Sequence, residues 1–60
     1  MEKIAKKDID IINKSFDSMI KDYTETAEKS KKTMPLVAKS LELTVELVKT
    51  YKEAFNSVNK

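Results

Sequence analysis

The side chains of this sequence that could do chemistry are carboxylates, lysines and hydroxyls. Glu42 and Glu46 stand four residues apart, and so do the acid–lysine pairs Asp10/Lys14, Asp17/Lys21, Glu25/Lys29 and Glu28/Lys32. Paired carboxylates can act as general acid and base, but that work requires a cleft, and a chain of two helices does not enclose one. There is no His and no Cys. Ser and Thr hydroxyls therefore have no imidazole to activate them, and neither a zinc site of the usual ligands nor a disulfide can be built. Carboxylate metal sites on facing bundle helices usually include a Glu-x-x-His motif, which is absent. Tyr23 and Tyr51 read as boundary residues, with the ring covered and the hydroxyl at the rim. The expectation is a protein that is not an enzyme, with no catalytic, cofactor-binding or metal-binding residues and no cofactor.

Charge points to no strong electrostatic partner. Twelve basic and ten acidic residues leave a net charge of +2. Every cation is Lys, which lacks the planar fork that reads guanine, so sequence-specific DNA recognition is disfavoured. The exclusive use of Lys, with many Ile and Asn, is what an A+T-rich genome such as that of a low-GC bacterium or its phage would encode. Lys3, Lys6 and Lys7 gather at one end and Lys29, Lys31 and Lys32 at the other. These six are the candidate nucleic-acid contacts, but each cluster is interleaved with acids and carries no aromatic residue for base stacking. Solvated helix ends are the plainer reading.

The elements that would position these groups are helices. Glycine is absent and Pro occurs once, which argues against tight hairpins and phosphate-cradling loops, while Lys, Glu, Ala, Leu and Met favour helix. From residue 2 to 32 an apolar stripe runs through Ala5, Ile9, Ile12, Phe16, Met19, Tyr23, Ala27 and Ser30, with Ile20 beside it. Steps of three and four keep one seam against a partner helix. The four acid–lysine pairs lie on the opposite, solvated face, where each adds about 0.2–0.5 kcal/mol. Small residues at Ala27 and Ser30 would let two helices approach closely near a turn. Pro35 then disfavours a helical Met34, so a turn is expected at about 33–35, with Thr33 as N-cap of a second helix over about 35–58. The alternative is one rod kinked at Pro35.

Leu41–Val48 alternates apolar and polar residues like a half-buried strand. The alternation is short and has no partner, whereas helical rows cover the whole segment. One row is Leu36, Ser40, Leu43, Leu47, Tyr51, Ala54 and Val58; the second is Val37, Leu41, Val45 or Val48, and Phe55. Lys39, Glu42, Glu46, Lys49, Glu53 and Asn56 fill the polar remainder. The apolar face spans roughly 180–200° of the helix, against about 100° for an ordinary surface helix. One antiparallel neighbour cannot cover it. On the first helix Ile11 joins Ile4 on a separate edge, at the margin of the seam.

The sequence thus predicts a single all-α domain over 1–60, a two-helix antiparallel hairpin dimerising into a four-helix bundle. At sixty residues a lone core is marginal, and with disulfides and zinc excluded, association is the reinforcement that remains. The expected partner is a second copy, with a heterologous target protein as another occupant of the same face. Ile4, Ile11, Leu36, Leu43, Leu47, Tyr51 and Phe55 are the candidate partner-binding residues. A regulator or inhibitor of a larger protein is a role such a module could serve; the alternative is a modulator that binds RNA through the lysine clusters of a hairpin dimer. No apolar run spans a bilayer, and Met1 is followed by polar residues rather than a signal core, so the expected location is the cytoplasm, off the membrane.

Overall fold

The computed structural model describes residues 4–59 as two α-helices, α1 over Lys6–Ser30 and α2 over Pro35–Val58, packed against each other. Contacts between them pair position 13 with 56, 16 with 55 and 17 with 52, so the helices run in opposite directions. Leu41–Val48 lies wholly within α2. The alternation that imitated a strand splits between two helix faces: Val45 is buried and Leu41 half-buried, while Leu43 and Leu47 are exposed.

The reversal between the helices uses no left-handed residue; among the described residues none has positive φ. Lys31 keeps helical angles, and the Met34 amide still donates to the Ser30 carbonyl at 2.8 Å. The break falls at Met34, whose φ of −141° and ψ of 72° are not helical. Pro35 imposes this, because its ring clashes with a helical residue before it and its own missing N–H is harmless at the first helical position. Met34, not Thr33, is the N-cap of α2, and it makes no side-chain capping bond. Its carbonyl instead accepts from the Ala38 amide at 3.0 Å. At the other end of α1 the cap is Ala5, likewise without a side-chain bond, and Asp8 sits in the first turn where the helix dipole favours an anion.

Small residues make the closest packing. Ala27, Ser30 and Ala38 are buried near the turn, joined by Val45 and Val48 further along α2. Beyond them the seam widens to hold Ile9, Ile12, Phe16, Met19, Ile20, Tyr23, Leu41 and Phe55, all half-buried. The rings of Phe16 and Phe55 meet edge to face at 6.0 Å between centroids. No large side chain among the described residues is fully enclosed. That is a geometric consequence of two cylinders touching along one line: the larger side chains of the seam have their backs to water.

Polar groups also cross the seam. The Asn13 and Asn56 amides exchange hydrogen bonds, with each Nδ2 donating to the other's Oδ1 at 2.9 and 2.7 Å. Lys52 Nζ lies 2.6 Å from Asp17 Oδ1. Asn56 therefore belongs to the inward face of α2, not to the polar remainder. Asp17 pairs across the hairpin rather than with Lys21, and Glu28 meets Lys31 at 3.4 Å rather than Lys32. Exposed pairs of this kind are worth only about 0.2–0.5 kcal/mol, too little to fix one partner against another nearby.

Candidate interaction surface

On α2 the inward row is Ala38, Leu41, Val45, Val48, Lys52, Phe55 and Asn56. With 3.6 residues per turn, its midline stands about 130° around the helix from that of Leu36, Ser40, Leu43, Leu47, Tyr51, Ala54 and Val58. This second row is exposed along its entire length. Leu36 is 84% exposed, Leu43 61% and Val58 71%, with Leu47 and Tyr51 at half or more. From Leu36 to Val58 the stripe runs about 33 Å at 1.5 Å per residue. Met34, exposed, precedes it at the turn, and Val37, also exposed, stands on its border about 80° from the midline.

The candidate partner-binding residues divide accordingly. Leu36, Leu43, Leu47 and Tyr51 come together on the outward stripe. Phe55 is engaged by Phe16 inside the hairpin, and Val58, which shares the stripe's spacing, completes its far end. Ile4 precedes α1, so it forms no helical edge with Ile11. Ile11, 60% exposed, is about 140° from the midline of the α1 seam and not at its margin. A single exposed apolar residue of this kind is common on protein surfaces.

The lysines lie at the two ends. Lys6 and Lys7 open α1, exposed, and Lys3 lies outside the described residues. Lys29, Lys31 and Lys32 surround the C-terminus of α1, where they complement the negative end of the helix dipole. No aromatic ring accompanies them there. Among the described residues no group of three or more carboxylates is placed to hold a metal ion, and no helix is long and apolar enough to cross a membrane. A surface depression of about 670 Å³ lies between Ile20 and the α2 residues Lys49, Lys52, Glu53, Asn56 and Ser57, on the polar side of the helix.

The hairpin exposes more area than a compact chain of its mass. The molecule measures 46 × 16 × 12 Å with a radius of gyration of 14.1 Å, whereas a compact sixty-residue domain has about 10 Å. It exposes 5008 Å², and a folded chain of its mass is expected to expose about 4,000 Å². The surplus, about 1,000 Å², is of the size that one partner contributes to a standard protein–protein interface, about 800 Å². No known protein family, curated protein or solved structure matches the chain.

Proposed function

We propose that the chain is a non-enzymatic protein–protein interaction module that self-associates through the outward stripe of α2, two hairpins forming a four-helix bundle with the α2 helices innermost. The observation that carries this reading is the continuous exposed row Leu36, Leu43, Leu47, Tyr51 and Val58. Burying each Leu removes about 1.5–3 kcal/mol of unfavourable hydration, so a contiguous row is a strong driving force for association, where scattered residues are not. A second copy is the occupant that fits, because a like stripe supplies matching length and apolar character with no further molecule required. In such a dimer the outer faces of α1 stay free to meet a larger protein, and regulation or inhibition of that protein is the role the module would then serve.

Sedimentation equilibrium at micromolar concentration tests the reading. The expected species has twice the 6.9 kDa mass of the chain. A helical, strictly monomeric species over the same range would overturn self-association.

A further inference from the structure

We infer that the two copies pair antiparallel, with a two-fold axis at Leu47; this rests on the self-association reading above and deepens it. The stripe is a palindrome. Counted from Leu47, its members fall at 11, 7 and 4 residues before, in Leu36, Ser40 and Leu43, and at 4, 7 and 11 after, in Tyr51, Ala54 and Val58. Side-chain size follows the same symmetry: large at the ends, small at Ser40 and Ala54, large through the centre. A two-fold axis perpendicular to α2 at Leu47 therefore lays the stripe on itself, Leu36 against Val58, Ser40 against Ala54, Leu43 against Tyr51, and Leu47 against its own copy.

Charge on the stripe's borders selects the same orientation. One border, about 60–120° from the stripe's midline, carries the charged Lys39, Glu46 and Glu53 together with Thr50 and Ser57; the other, uncharged, carries Val37 and Thr44, with Phe55 turned to Phe16 inside the hairpin. Antiparallel helices bring like borders together, and parallel helices bring each border against the opposite one. In the antiparallel pair Lys39 comes within about 3 Å, along the helix axis, of the level of Glu53 on the second copy, and the contact occurs twice by symmetry. In a parallel pair all three charges face the uncharged border. The antiparallel pair also sets Glu46 beside Glu46 of the second copy near the axis. That repulsion is softened by Lys49, whose Nζ lies 3.7 Å from the Glu46 carboxylate. It gives the orientation a second signature, because Glu46→Gln should tighten an antiparallel dimer several-fold and leave a parallel one unchanged.

Cysteine cross-linking decides it, since the chain has no Cys of its own. Ser40→Cys and Ala54→Cys both fall at exposed positions and alter volume little. Each variant is oxidised alone and in an equal mixture in a glutathione buffer, with sedimentation equilibrium on the same samples. The expected result is a disulfide-linked dimer in the mixture, of mass equal to one chain of each variant, and almost none with either variant alone. Cross-linking of each variant with itself would overturn the antiparallel arrangement and leave self-association standing. A dimer by sedimentation that cross-links in no sample would overturn the pairing through this stripe. A monomer throughout would overturn self-association itself.

Discussion

The two apolar rows of α2 are built differently. The row against α1 consists of Ala38, Leu41, Val45, Val48 and Phe55, interrupted by Lys52 and Asn56, while the outward row carries Leu36, Leu43, Leu47, Tyr51 and Val58. Three of the six large exposed apolar residues on α2 are leucines, yet the residues of α2 buried deepest are Ala and Val. Close approach explains the inward choice. Small side chains at Ala27, Ser30 and Ala38 let the backbones near each other beside the turn, and larger ones there would force the helices apart. Polar pairs then fix the register: the Asn13–Asn56 exchange is satisfied at one alignment of the helices and broken by a one-turn slip. The inward row thus supplies specificity with modest area, and the outward row holds the greater reserve of unburied apolar surface.

That contrast can be broken most forcefully at the outward row. Leu43→Lys combined with Leu47→Lys removes four leucines from the proposed dimer, at about 1.5–3 kcal/mol each. The expected outcome is loss of the dimer at micromolar concentration by sedimentation equilibrium, with helix content falling if the hairpin depends on association. A dimer that survives both lysines uses another surface.

The inward row should respond less. Phe55→Ala loses a half-buried ring and its edge contact with Phe16; a fully buried Phe costs about 3–5 kcal/mol, so about 2 kcal/mol is expected here. Urea unfolding followed by circular dichroism would measure it, and a loss under about 0.5 kcal/mol would mean the aromatic pair is not formed in solution.

Smaller and more diagnostic is the amide pair. Asn13→Ala leaves the Asn56 side chain with only the Lys52 carbonyl and should cost about 1–2 kcal/mol, whereas Asn13→Leu with Asn56→Leu should be neutral or stabilising. If the leucine pair also raises the population of misaligned or larger assemblies in sedimentation velocity, the amides contribute register rather than stability.

The least effect belongs to the ion pair. Asp17→Asn should lower stability by under about 1 kcal/mol, because Lys52 and Asp17 are both partly solvated, and the difference should shrink as salt rises. A larger loss that salt does not diminish would mean that the pair is desolvated in the assembled protein.

How legible these features were in the sequence differs by type. The α1 seam from Ile9 to Ser30 is a single narrow stripe, and its inward face follows from spacing alone. A break follows from Pro35, but its being a reversal rather than a kink, and the choice of Met34 over Thr33 as the cap residue, depend on the tertiary structure. For α2 the width of the apolar face is evident from its two rows, but nothing in their hydrophobicity says which row meets α1. Asn56 on the polar remainder of α2 and Asp17 paired with Lys21 both change for a related reason: each lies at the edge of a polar face, where a partner across the seam draws the amide inward and engages the still-exposed carboxylate. A signal existed in retrospect, because Asn13 interrupts the apolar edge of α1 at the level where Asn56 interrupts that of α2.

What the sequence determined by itself is local: two helical segments, a break at a proline and more apolar surface than one neighbour covers. Those properties depend on φ and ψ preferences and on periodicity within a few residues of each position. The tertiary structure alone decided that Val45, Val48 and Phe55 go inward and that Leu36, Leu43 and Leu47 stay outside. The reason is that a helix presents both rows equally, and the difference between them arises only when the small residues, amides and charges of α1 are brought alongside.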